Sequence, residues 1–205
     1  MSELEIGRLL RANITRCVLG CKVSQLDAPA FGGMVRIPIG IADAAYGLIY
    51  DIHIDDDGLV RQLVTAEHIS EEVIEDNRKN RNVPVEISAL FIGWSHEDRI
   101  SHLLPPRPPL TLDRIYPCTP AEICSFTNSG RFGYFRHILT DDTLPVGELL
   151  AAHLQQADAA QRAAGNPGWL DAAVREVVTL LRDEYELLMQ VLSAVGEVYV
   201  AGGAA

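Results

Sequence analysis

"SHLLPPRPPLTLDRIYPC", residues Ser101–Cys118, decides how this chain is divided. Prolines stand at positions 105, 106, 108, 109 and 117, and no glycine interrupts them. Proline holds φ at about −65° and carries no N–H, so such a run is stiff and asks for no hydrogen-bond donor role. Three readings compete. "LPPRPPL", Leu104 to Leu110, fits a polyproline II ligand for an aromatic groove. The same residues could instead form a semi-rigid linker between domains, or a fixed connection inside one fold. The flanking sequence has to choose among them.

Upstream, short segments rich in β-branched residues alternate with turn chemistry. Ile6–Leu10, Thr15–Val23 and Met34–Ile39 read as strands, with "DAPAFGG" and "GIAD" bounding the third. In Ala45–Ala66 the residues Leu48, Tyr50, Ile52 and Ile54 alternate with Ile49, Asp51 and His53. "DDDG" then turns the chain, and Leu59–Val64 is expected to return as the second strand of a hairpin. A calcium loop is excluded there, because Val64 holds the position where a glutamate is needed. "SEEVIEDNRKN" predicts one short helix with Ser70 at its N-cap and charges that suit the helix dipole. Val83–Trp94 predicts a crossing strand, and "SHEDR" a turn.

Downstream the character changes. "TPAEICSF" and "TNSGRFGYFRH" resist assignment, whereas Thr143–Gly165 is alanine-rich and helical, with Gly165 and Pro167 stopping it. Gly168–Gly196 predicts a second helix of about seven to eight turns. Val178, Leu181, Tyr185, Leu188, Leu192 and Val195 recur along it at three- and four-residue spacing, an apolar stripe that would seal against the preceding helix, the barrel or another copy of itself, with packing on the chain's own fold as the default. The tail is expected to fray beyond Val200. The fold class that follows is α+β: a small N-terminal all-β barrel over residues 1–127 with one inserted short helix, then a C-terminal α-helical hairpin over residues 128–205.

Composition bounds the function. With 205 residues, 48% of them hydrophobic, the chain can bury a core. Its net charge of −11 opposes a sequence-independent grip on nucleic acid. The basic cluster "NRKNR", Asn77 to Arg81, follows the acidic "SEEVIED" and reads as a solvated helix face. No apolar run approaches the roughly 18 residues of a membrane span. "VLGC", Val18 to Cys21, has the spelling of a lipoprotein cleavage box, but Arg11, Asn13 and Arg16 interrupt the apolar segment that should precede it. A cytoplasmic location is the expectation, and in a reducing compartment the four cysteines read as small buried hydrophobes.

Catalytic patterns are missing. No glycine-rich stretch carries the lysine and Ser/Thr that a phosphate loop needs, and no glycine trio marks a dinucleotide fold. Cys17/Cys21 and Cys118/Cys124 are spaced too widely for zinc knuckles, and His53, His68, His96, His102, His137 and His153 are scattered. "SHED", Ser95 to Asp98, is explained by a turn, and Asp141 with Asp142 by the approach to a helix N-terminus. No catalytic, cofactor-binding or metal-ligating residue is assigned, no cofactor is expected, and the chain reads as a non-enzyme.

The order of pieces carries one resemblance. Ile6-Gly7, Gly33-Met34-Val35, Gly47-Leu48-Ile49, Ile87 to Trp94, Pro105 to Pro109 and Ile115 to Glu122 follow one another as in the HAS barrel. That is the N-terminal barrel of HerA-type DNA-translocating ATPases and of rotary ATP synthase subunits. The resemblance covers roughly the first 125 residues, and helices stand where the ATPase domain would follow, so no ATPase activity carries over. It implies a stand-alone barrel whose prolines direct the chain out of the barrel. It also implies an assembly or adaptor role: self-association into an oligomer, or docking of a HerA-type ATPase or NurA-type nuclease, with DNA repair as the setting. Strand-edge pairing and the apolar helix face would be the physical means, without direct nucleic-acid or membrane contact. The alternative is a small-ligand-binding or enzymatic β-barrel with a pocket lined by Tyr50, Asp51 and His53.

Overall fold

The computed structural model describes residues 4–21, 29–55, 58–66, 68–79, 85–97 and 99–202. Parts of the expected "DDDG" turn, the "NRKNR" cluster, "SHED" and the tail lie outside these residues. Seven strands form the sheet: β1 (Gly7–Ala12), β2 (Arg16–Cys21), β3 (Met34–Pro38), β4 (Asp43–His53), β5 (Val85–His96), β6 (Arg99–Ser101) and β7 (Arg114–Pro117). Their order is β2-β1-β7-β3-β4-β5-β6, and β2 also pairs with β5, which closes six strands into an antiparallel barrel. Register shifts at Leu9/Arg11 in β1, at Ile49/Asp51 in β4, and in β5 opposite Tyr46/Gly47 supply the local bends that so narrow a cylinder requires.

Alternation explains what each strand buries. One set of side chains, among them Leu9, Leu19, Val35, Ile37, Ile49 and Phe91, fills the barrel and is inaccessible to solvent. Cys17 and Cys21 sit in the same inner cluster. The other set, Met34, Tyr46, Leu48, Leu90 and Ile92, joins a second core that continues into the helices. The β3–β4–β5 wall is therefore buried on both faces, which accounts for the unbroken apolar run in β5.

Between β4 and β5 lie two helices, α1 (Leu59–Val64) and α2 (Glu71–Lys79). The expected return strand at Leu59–Val64 is thus a helix. The apolar residues at 59, 60, 63 and 64 already have helical spacing, and β-branching at Val60 and Val64 suggested otherwise.

The proline passage runs from β6 to β7 and does not lead the chain out of the barrel. Pro105 and Pro109 are buried, while Pro106, Arg107 and Pro108 face solvent. Arg107 Nη2 donates to the Ile39 carbonyl at 2.6 Å, and the Leu110 N–H donates to Asp113 Oδ2 at 2.7 Å. The Leu112 N–H then donates to the Leu9 carbonyl, and β7 enters between β1 and β3. A stiff strap is what this crossing needs, since an extended segment over the end of the barrel has few backbone partners. Arg107→Ala is expected to cost about 1–2 kcal/mol, the worth of a charge-assisted bond to a backbone carbonyl, read from the urea midpoint. Amide exchange through residues 104–113 should accelerate with it.

Helices α3 (Pro120–Asn128), α4 (Phe135–Leu139), α5 (Val146–Ala163), α6 (Trp169–Leu180) and α7 (Tyr185–Gly202) complete the chain, with a 3-10 turn at Gly130–Phe132. Thr119 and Glu122 form a reciprocal capping box around Pro120, which starts α3. Glu122 also meets Arg36 of β3, Oε1 to Nε at 2.7 Å. The single helix expected over Gly168–Gly196 is broken at residues 181–184. Its stripe is broken too: Leu181 and Val195 are buried, but Val178 and Tyr185 are 40% and 71% exposed. The break lets α6 bury Trp169, Leu170, Ala173 and Val177, while α7 turns Val191, Val195 and Val198 inward.

Candidate functional site

The residues singled out in sequence do not converge. Tyr50 is half-buried beneath the Arg16 guanidinium, 5.3 Å from its ring centroid, whereas Asp51 and His53 are exposed. His53 Nε2 lies 3.1 Å from Asp55 Oδ1 at the surface. The barrel axis behind them is occupied by side chains, so the expected ligand pocket of Tyr50, Asp51 and His53 does not form there. Ser95 and His96 are strand neighbours and point to opposite sides: Ser95 is buried, and exposed His96 places Nδ1 2.6 Å from Asp43 Oδ1. That hydrogen bond raises the affinity of His96 for a proton.

The cysteines are free, and burial pushes the Cys17 thiol up to about 12 and the Cys118 thiol upward as well. Neither presents a thiolate at neutral pH. Among the described residues no cluster of three or more His, Cys, Asp or Glu is arranged to hold a metal ion.

A buried polar cluster that the sequence did not announce lies under the helices. Tyr134 Oη and His153 Nε2 are 2.9 Å apart, both side chains fully enclosed, and His153 also bonds the backbone of Gly32. His102 Nε2 lies 3.1 Å from the Phe126 carbonyl. The His102 carbonyl in turn accepts from Arg136 and, at 2.8 Å, from His137 Nε2. Burial lowers the proton affinity of all three histidines. These groups join the β6 exit, α3, α4 and α5 to one another; Tyr134, His102 and His153 are buried, while Arg136 is exposed and His137 partly so.

Two surface openings among the described residues bear on function. A cleft of about 740 Å³ beside the β3–β4 turn is lined by Arg36, Asp43, Tyr46, Ser95, Glu122 and Ser125. Its charges are internally matched: Arg36 meets Glu122, and Asp43 meets His96.

The second opening, a groove of about 1320 Å³, runs between the start of α5 with its preceding loop and α7. Leu144, Val146, Leu187 and Met189 are among its apolar lining residues. Asp141, Asp142, Glu148, Glu184 and Glu197 line it as well, with no lysine, arginine or histidine. Local structure fixes its walls. At Gly147 a Cβ would lie 3.4 Å from the Gln190 carbonyl oxygen, an ordinary contact distance, so α5 and α7 are neighbours at this side of the groove. Asp141 Oδ1 accepts from the Thr143 hydroxyl at 2.7 Å, and its other oxygen takes the Arg16 guanidinium from β2, which anchors the loop to the barrel. Burial alone would raise the Asp141 pKa, but the hydrogen bonds from Thr143 and Arg16 outweigh it and hold the carboxyl below the usual range. The other four carboxylates have no cation paired with them among the described residues.

The class defined by these features is an α+β protein with a filled, closed six-stranded barrel and a helical layer that carries a solvent-open groove. The sequence matches no protein-family model and no curated protein.

Proposed function

We propose that this protein is a non-enzymatic assembly or adaptor module that works by holding other proteins. The observation that carries this reading is the groove between the start of α5 and α7: open to solvent, lined by both apolar side chains and carboxylates, and without a histidine, cysteine or lysine. Small-molecule sites are usually enclosed and of about 300–1,000 Å³, so a larger open trough suits a polypeptide better. The filled barrel argues the same way, because its interior leaves a ligand no room. Exposed Leu180, Tyr185, Met189 and Tyr199 on α6 and α7 add contact surface.

The resemblance to the HAS barrel supplies the partner class: a HerA-type ATPase or NurA-type nuclease, or further copies of the chain, in DNA repair. The closed small barrel is compatible with that resemblance. Barrel closure uses both edges of β1, β3, β4 and β7, so strand addition is blocked there; β6, paired only with β5, keeps one edge for it beside the helix faces. Light scattering on the protein alone and mixed with each partner class tests the proposal. A mass above the 22.5 kDa of one chain, as a self-assembly or a complex, is the expected result. A strict monomer that retains neither partner would sink it.

A further inference from the structure

We propose that the α5–α7 groove receives a basic, amphipathic helical segment of a partner protein. This rests on the adaptor reading and names the chemistry of the partner. Asp142, Glu148, Glu184 and Glu197 line one trough without a paired cation among the described residues, which leaves it negatively charged. Lysine or arginine side chains flanking a bound segment meet that charge, while apolar side chains at helical spacing cover Leu187 and Met189. Met189, half-exposed, unbranched and polarisable, suits a surface that adapts to its ligand. A helix about 10 Å across can lie along α7, with residues 139–148 as the opposite wall.

The charge rules out the competing occupants. Nucleic acid and anionic membrane surfaces are repelled by the same carboxylates and by the net charge of −11. A second copy packed by two-fold symmetry would set one acidic rim against the other.

The test uses the whole chain and a labelled synthetic peptide of about eighteen residues. Leucines at i, i+3, i+4 and i+7 form its apolar face, flanked by lysine and arginine. Saturable one-to-one binding by fluorescence anisotropy is expected. It should weaken about tenfold between about 50 and 300 mM salt, as screening shortens the reach of the rim. Asp142→Lys with Glu197→Lys should also weaken it about tenfold or more, and Met189→Ala several-fold. All three positions are exposed, so the fold should tolerate the changes. Glu71→Lys with Glu72→Lys on α2 makes the same change in net charge elsewhere and should leave affinity intact.

Equal binding by the Asp142/Glu197 variant, equal binding of a peptide with glutamate in place of its basic residues, or no saturation by the unaltered protein would each overturn the proposal. So would a solution dimer that Met189→Ala dissociates, since the groove would then hold a second copy. A mass shift with a partner that survives in the Asp142/Glu197 variant keeps the adaptor reading and removes the groove. Peptide binding by a protein that stays monomeric and ignores both partner classes keeps the groove and removes the adaptor reading.

Discussion

Acidification from pH 6.5 toward pH 4 should strip roughly 3 kcal/mol from the folded state through His153 alone. Full burial lowers the pKa of this imidazole from 6.5 to about 4, with only the backbone hydrogen bond at Gly32 opposing the shift. Between those values the unfolded chain takes up a proton that the folded chain refuses. Stability is therefore complete above 6.5 and declines as pH falls through the window. His102 and His137 are shifted the same way by burial and steepen the decline. His96, raised by its bond to Asp43, works against it from an exposed site.

Urea titrations at intervals from pH 7.5 to 4.5 measure the slope. His153→Gln keeps an acceptor for the Tyr134 hydroxyl but cannot titrate, so its profile should be shallower even though its stability at pH 7.5 is lower. A variant as steep as the parent would show that His153 is not the group responsible.

Gly32→Ala should cost about 2–5 kcal/mol, enough to unfold a marginal domain. Two penalties combine at this position. The backbone sits at φ +76, where an L side chain costs about 1–2 kcal/mol. A Cβ there would also lie 2.7 Å from the Ala152 Cβ and from the His153 backbone nitrogen. Neither neighbour can withdraw, because the Gly32 N–H donates to the Ile49 carbonyl on β4 while α5 presses from the other side. Gly58→Ala separates the two effects. Its φ of +80 imposes similar strain, but nothing among the described residues lies within 4 Å of the new methyl, so only about 1–2 kcal/mol should be lost. Equal losses at both positions would refute the steric account of Gly32.

The strands up to β5 were legible because two-residue alternation is a local signal and one inner face collects the apolar side chains. β7 was not. "RIYP" is four residues with a proline, and it is a strand only because β1 and β3 offer it edges from far away in sequence. α3 was legible in principle, since Thr119-Pro120-Ala121-Glu122 spells a capping box. α1 misled because β-branched residues outweighed their helical spacing. The break at residues 181–184 leaves no trace in "LRDE", whose residues all tolerate a helix; it follows from how α6 and α7 pack.

The groove was legible only in halves. Asp141 and Asp142 were noticed as a pair, but Glu184 and Glu197 belong with them only after α7 folds back on α5. Tyr134 and His153 lie 19 residues apart and meet through the packing of α4 on α5, which no spacing rule anticipates.

The place of β7 has a consequence for synthesis on the ribosome. Strands emerge in the order β1 to β6, yet the one that seals the cylinder comes last, after the strap. Until residue 117 has cleared the exit tunnel, β1 and β3 each carry an unpaired row of amides and carbonyls beside an apolar interior. The nascent chain is then an open, sticky sheet, and protection arrives all at once with a four-residue segment.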